Sequence, residues 1–190
     1  RFDLNQTAEW NFAYEMQQMM FAPSASVTLS NFWTARLSTR LNLPAQNQRL
    51  TRGGPSMGTP FGWTSSVSLG NGSAAKTRWN VNMDYGRDDL GRSSQGVSGR
   101  VSMVPAPRWQ VSLSPSFDRE INPRQYVVAR DGGGPETYGG RYIFAFTDRT
   151  TLAMETRLNF TLKPDVNLDL YAQPFAASGR FYDFGELEAA

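Results

Sequence analysis

The segment Lys76–Tyr85 alternates with period two. Lys76, Arg78, Asn80, Asn82 and Asp84 fall on one parity, and Trp79, Val81, Met83 and Tyr85 on the other. That period gives a β-strand one polar and one apolar face, whereas an α-helix would scatter both sets around its circumference. The pattern returns about eight times, each over roughly the length that a tilted strand needs to cross a bilayer. The expected class is all-β.

Composition bounds the chemistry. A chain of 190 residues that is 39% hydrophobic has the size of one domain, and a formal net charge of +2 is not the basic footprint of a nucleic-acid binder. The chain has no Cys and no His. This excludes disulfide frameworks, Cys/His zinc sites, thiol nucleophiles and imidazole-based triads from these residues. No cofactor or metal site is expected. No apolar run approaches the roughly 18 residues of a membrane helix, and the first residues do not follow the order of a signal peptide. The start at Arg1 reads as an internal piece of a longer protein, or as a chain whose leader was removed.

Strands are expected near 8–18, 26–42, 61–69, 76–85, 96–104, 108–118, 140–162 and 166–176, with long loops at 43–60, 86–95 and 119–139. In the first, Trp10, Phe12, Tyr14 and Met16 oppose Glu9, Asn11, Glu15 and Gln17. A turn around Phe21–Ser24 follows. In the second, Val27, Leu29, Trp33, Ala35, Leu37 and Leu41 oppose Thr28, Ser30, Thr34, Arg36, Ser38 and Arg40, with Phe32 an exception on the polar face. Gly70–Ala74 supplies turn-tolerant residues. Val97, Gly99, Val101 and Met103 alternate with Ser98, Arg100 and Ser102. Pro105–Pro107 turns the chain, and Trp109, Val111, Leu113, Pro115 and Phe117 oppose Gln110, Ser112, Ser114, Ser116 and Asp118. Pro115 donates no ladder hydrogen bond and is expected at a bulge or a loosened strand end. Tyr126–Val128 is a possible strand extension. Leu158 and Phe160 share the apolar parity of the next strand against Glu155, Arg157 and Asn159, and Asp169 lies on the polar parity of the last.

Short turns within strand pairs and long polar connections between them match the two rims of a transmembrane barrel. A soluble sandwich or small barrel also alternates, with one face packed inward. Rim asymmetry, strand length and aromatics near the ends of the apolar stripes (Trp10, Trp63, Trp79, Tyr85, Trp109, Phe117, Phe160) favour the membrane reading. The expected fold is therefore an antiparallel up-and-down transmembrane β-barrel of about eight visible strands.

Energetics assigns the faces. An Arg facing lipid near the midplane costs about 2–4 kcal/mol. Glu9, Glu15, Arg36, Arg40, Arg78, Asn80, Asn82, Asp84, Arg100, Asp118, Glu155, Arg157 and Asp169 are thus expected to line a lumen. Trp10, Phe12, Tyr14, Trp79, Val81, Met83, Tyr85, Trp109, Val111, Leu113, Leu158 and Phe160 are expected to face lipid. The lining reads either as charges that satisfy one another or as a selectivity filter.

Arg49–Pro55 followed by Gly62-Trp63, then Tyr138–Ala145, then Leu168–Phe175 with Ser178-Gly179, resemble in order and spacing a family of bacterial outer-membrane proteins. In that family a C-terminal barrel domain of unknown function follows a module similar to family-nine carbohydrate-binding modules. The resemblance covers most of residues 45 to 185. It implies a bacterial outer-membrane location, an arc of a barrel larger than the visible strands, and strands missing on both sides. The end Gly185–Ala190 lacks the aromatic terminal strand of such barrels, which also reads as truncation.

Other motifs are weak. Arg52–Pro55 and Asp131–Pro135 lack the strand-to-helix context of phosphate loops. Asp88-Asp89 and Asp118 with Glu120 lack regular calcium-ligand spacing. Asn159-Phe160-Thr161 matches a glycosylation acceptor in the wrong context. Two functions stand apart: a barrel that passes or handles a solute, with carbohydrate suggested by the resemblance, and a scaffolding barrel with an occluded lumen whose long loops bind proteins or glycans. A soluble sandwich module is the further alternative, and an enzyme is not expected. The expected partners are outer-membrane lipid, other proteins of a membrane assembly and carbohydrate, without nucleic acid.

Overall fold

In the computed structural model, which describes residues 1–72 and 75–186, alternation becomes one antiparallel sheet. Its strands are β1 (Phe2–Trp10), β2 (Met16–Thr28), β3 (Thr34–Asn42), β6 (Gly62–Gly70), β7 (Thr77–Asp88), β8 (Ser93–Ala106), β9 (Trp109–Asp131), β10 (Gly140–Lys163), β11 (Val166–Ala172) and β12 (Phe175–Glu186). Between β3 and β6, β4 (Ala45–Asn47) and β5 (Met57–Thr59) form a separate two-stranded ladder. Sheet order follows chain order from β1 to β11, and β12 pairs with β10 beyond the end of β11. Among the described residues β1 is paired only to β2, and β11 and β12 only to β10, so the sheet is open. Ser73 and Ala74 of the expected turn, and Leu187–Ala190 of the expected tail, lie outside the described residues.

Register makes the faces continuous. Phe2, Ala25, Leu37, Val67, Met83, Val97, Phe117, Leu152 and Ala176 are linked partner to partner across the sheet. A one-residue slip anywhere would break this row, because side chains change face with every residue. The adjacent row is polar: Asp3, Ser24, Ser38, Ser66, Asp84, Gly96, Asp118 and Thr151.

The first two expected strands are divided differently. Residues 8–18 span a hairpin turn, so Phe12, Tyr14 and Glu15 lie in the connection between β1 and β2 and not on a strand face. Residues 26–42 contain a second turn at 29–33. Both turns use the same device. Asn11 Oδ1 accepts the amides of Ala13 and Glu15, and Asn31 Oδ1 accepts that of Trp33. Tyr14 (φ 59°) and Phe32 (φ 62°) take the left-handed conformation. That conformation costs a non-Gly residue about 1–2 kcal/mol, so bulky aromatics there conceal the turn from a search for Gly and Pro. The misplaced parity of Phe32 was its trace in the sequence.

Conversely, Phe21–Ser24 is not a turn but the middle of β2, where Pro23 faces Leu4 of β1. Pro115 likewise sits mid-strand in β9 opposite Met154, with register retained. Pairing to the other neighbour lapses at both prolines, over Ala22–Pro23 against β3 and over Pro115 against β8. This accommodates a residue without an N–H donor.

The expected loop 86–95 narrows to 89–92, and most of 119–139 is strand, including Tyr126–Val128. The last strand does not end at 176, because β12 continues to Glu186. Connections 29–33, 71–76, 107–108 and 164–165 lie at one end of the sheet. Connections 11–15, 43–61, 89–92 and 132–139 lie at the other, so the rim asymmetry rests mainly on 43–61 and on the protruding β9–β10 hairpin.

The register predicts a crosslink. Asn5→Cys with Ala22→Cys places thiols at paired positions and should oxidise to a disulfide, seen as a mass loss of about two protons and a gel shift. Asn5→Cys with Phe21→Cys points the thiols to opposite faces and should remain reduced.

Candidate functional site

Every expected lining residue that lies on a strand falls on one face. Arg36, Ser68, Asn82, Ser98 and Ser116 form one row. Arg40, Thr64, Gly86, Ser94, Glu120 and Arg149 form another. Arg78, Ser102, Ser112, Arg157 and Tyr171 form a third. Asn80 faces Arg100, Glu155 faces Ser114, Asn159 faces Asp169, and Glu9 faces Gln18. Trp79, Val81, Met83, Tyr85, Trp109, Val111, Leu113, Leu158 and Phe160 share the opposite face. Trp10 ends β1 beside the bulge that precedes the first turn.

The charged face carries two clusters. Near the tight turns, a recess of about 540 Å³ is lined by residues of β7, β8, β9 and β10, including Arg78, Arg100, Glu155, Arg157 and Asn159. Arg157 Nε donates to Glu155 at 2.8 Å, and Arg100 Nη2 stands 4.0 Å from the same carboxylate. Arg100 Nε donates to Ser114 Oγ at 3.0 Å, and the Arg157 guanidinium lies over the Tyr171 ring at 5.1 Å. Asn159 Nδ2 holds Asp169 at 2.6 Å.

The second cluster lies at the end with the long connection. A recess of about 330 Å³ there is bordered by Gln17, Asn47, Thr64, Arg87, Arg92 and Arg124, among others. Arg124 Nη2 pairs with Asp88 at 2.9 Å, and this pair is mostly buried, with side-chain exposures of 16% and 8%. Asp88 Oδ1 also accepts the amides of Leu90 and Arg92, which shapes the β7–β8 turn. Glu120 receives Arg92 at 2.7 Å and Arg149 at 3.2 Å. Sequence reading placed Asp88, Glu120 and Arg124 in loops, whereas they lie on β7 and β9, and it rightly placed Arg92 in a connection without singling out any of the four for the charged face. The hidden cause is that the strands run past the apolar stripe, where hydrophobic alternation no longer marks them. Gly96 leaves the space into which the Asp84 carboxylate leans.

The connection 43–61 reaches along the sheet. Arg52 lies over the Tyr126 ring at 4.8 Å, and Gly54 is so close to Tyr142 that a Cβ there would overlap the ring. Thr51 is fully buried and donates to Pro55 O at 2.8 Å. Since β7 and β8 lie between β6 and β9 in the sheet, this connection bridges their ends. Tyr142, Phe144 and Ala145 are the buried apolar residues among the described residues, and Tyr142 lies against Gly54 of this connection.

Charges also appear on the apolar parity beyond Phe117. Arg119 pairs with Asp148 at 2.8 Å, and Arg180 approaches the same carboxylate at 3.8 Å. At the same end of the sheet, Arg141 pairs with Glu186 at 2.7 Å. Its hydrogen bonds hold the Glu186 carboxyl below the ordinary carboxylate range, and the Arg141 guanidinium is raised in turn.

Two outcomes follow. Asp88→Asn keeps the turn-forming oxygen but leaves Arg124 without its counter-charge, and should lower unfolding stability by about 3 kcal/mol in denaturant titration, with Arg124→Met restoring part of it. Because the Glu186 pKa is depressed on folding, its contribution is complete above the unfolded carboxylate range and lost as pH falls through the folded value. After correction for the intrinsic pH dependence of amide exchange, protection at the paired ends of β10 and β12 should fall only in that acid window, and Glu186→Gln should abolish that loss. No family model, curated protein or solved structure matches this chain.

Proposed function

We propose that this sheet is an arc of a transmembrane β-barrel of the bacterial outer membrane, with the apolar face toward lipid and the charged face lining a lumen that passes or handles a solute. The observation that carries this reading is the uncovered apolar row. Leu37, Met83 and Leu152 are 52%, 55% and 56% exposed, and among the described residues no second layer packs on them. A soluble sandwich covers such a face with its other sheet.

Two further features support it. In β9 the apolar stripe runs from Trp109 to Phe117, about 26 Å along the strand, which a tilt of about 40° reduces to about 20 Å. This approaches the roughly 25 Å apolar band of outer-membrane barrels. Aromatic pairs stand at both ends of the stripes: Trp33 with Trp79 and Trp109 with Phe160 near the tight turns, and Trp63 with Tyr85 at the other end. Such girdles suit the two membrane interfaces. The edges at β1 and at β11–β12 await pairing, which further strands of a wider barrel would supply.

The resemblance of Arg49–Pro55, Tyr138–Ala145 and Leu168–Phe175 to the outer-membrane family with a carbohydrate-binding-like module makes carbohydrate the first solute to test. A second reading, an occluded scaffolding barrel, is favoured by the packing of Arg52 and Gly54 against Tyr126 and Tyr142, since a connection folded there would narrow the mouth of a lumen. Its long connections would bind proteins or glycans. Neither reading uses catalysis.

Met83→Arg should impair folding into phospholipid vesicles by about 2–4 kcal/mol, whereas Asn82→Arg, on the other face, should change it by less than about 1 kcal/mol. Equal effects would sink the assignment of faces. Planar-bilayer recording of the full-length protein separates the two functional readings: stepwise conductance is expected for the solute pathway, and its appearance only after deletion of 48–56 for the occluded form.

A further inference from the structure

We infer that the recess bounded by Arg78, Arg100 and Arg157 binds small anions and gives the lumen its selectivity for solutes bearing carboxylate, sulfate or phosphate groups. The inference deepens the solute-pathway reading and rests on it for selectivity, although anion binding is measurable without conduction.

Register brings the three arginines together. Arg78 on β7 shares a row with Arg157 on β10, separated by Ser102 and Ser112, and Arg100 on β8 stands one row further on, opposite Asn80. The two serines are short, so the arginines border open space of about 540 Å³ and not a filled wall. That volume suits a small solute.

Charge is unmatched there. Three guanidinium groups meet one lining carboxylate, Glu155, which Arg157 holds at 2.8 Å and Arg100 approaches at 4.0 Å. Arg78 has no acidic partner among the described residues. Asp169, one strand beyond, is engaged by Asn159. A lining that served only to satisfy itself would place an acid opposite each arginine, as cross-strand pairs do. Here the opposing residues are Ser102 for Arg78, Asn80 for Arg100, and Ser112 and Tyr171 for Arg157, none of them acidic. Arg100 and Arg157 have side chains 59% and 60% exposed, so much of each donor fork is open to a ligand. The planar fork matches two oxygens of a carboxylate, sulfate or phosphate.

The test compares the full-length wild-type protein with R78Q/R100Q/R157Q and with the corresponding triple Lys variant, each checked for folding by circular dichroism and protease resistance. Should the triple Gln variant fail to fold, the three single Gln variants carry the same comparison. Reversal potentials in a salt gradient should give an anion-over-cation permeability ratio above about 3 for the wild type, about 1 for the Gln variant, and a retained preference for the Lys variant. Equal permeability in the wild type, or an undiminished preference in the Gln variant, would overturn the inference while leaving the pore reading intact. If no conductance is seen, calorimetric titration of the detergent-solubilised protein with inorganic phosphate decides. Binding to wild type that is weakened at least about tenfold in the Gln variant supports the anion site and rejects the pore. Absence of phosphate binding to the wild type rejects both.

Discussion

Antiparallel register is the constraint on which the rest of this molecule depends. Hydrogen bonding sets strands about 4.8 Å apart and fixes which residues stand opposite one another. Because neighbours agree in parity, Leu37, Val67, Met83, Val97, Phe117 and Leu152 become one apolar row, and Arg78, Ser102, Ser112 and Arg157 one polar row. Neither row exists in any single strand. The charged clusters, the recess at each of them and the uncovered apolar face all follow from that alignment.

Departures from regular pairing occur where the ladder tolerates them. Pro23 and Pro115 interrupt hydrogen bonding on one side without moving the register, so both faces survive them. Register shifts lie elsewhere: next to turns at Glu9/Trp10, Met103/Ala106 and Thr161/Lys163, and in the β9–β10 pair between Ile143 and Thr147. In the β9–β10 pair the hairpin rises past β8, Tyr126 and Tyr142 meet Arg52 and Gly54 of the long connection, and Phe144 stands edge-on to Tyr126. A bulge adds local twist and bend. Among the described residues, the buried apolar side chains are thus those of the bulged part of β10, near where the long connection folds back onto the sheet.

Alternation over 76–85, 96–104 and 108–118 was strong enough to place β7, β8 and much of β9 and to sort their residues correctly between faces. It failed at Tyr14 and Phe32, where aromatics occupy left-handed turn positions usually marked by Gly or Asn, and at Pro23, whose turn signal was overridden by pairing with β1. It also stopped short at 86–95, 119–131 and 177–186, because strands that run beyond an apolar stripe lose the hydrophobic contrast that period two requires. Most of the cluster near the tight turns was therefore legible, whereas the Asp88–Arg124 pair was not.

By itself, the sequence determined the all-β class, the two-faced character of the strands and the absence of thiol or imidazole chemistry, since each depends only on residue type and spacing. Tertiary structure decided which charges meet. Arg78 and Arg157 are far apart in the chain, and only the hydrogen-bonded ladder of four strands puts them on one row with two serines between. It also decided that the connection 43–61 reaches β9 and β10, and that the sheet stays open at β1 and β11–β12. The physical reason is that pairing partners and chain crossings are non-local, whereas period and composition are local.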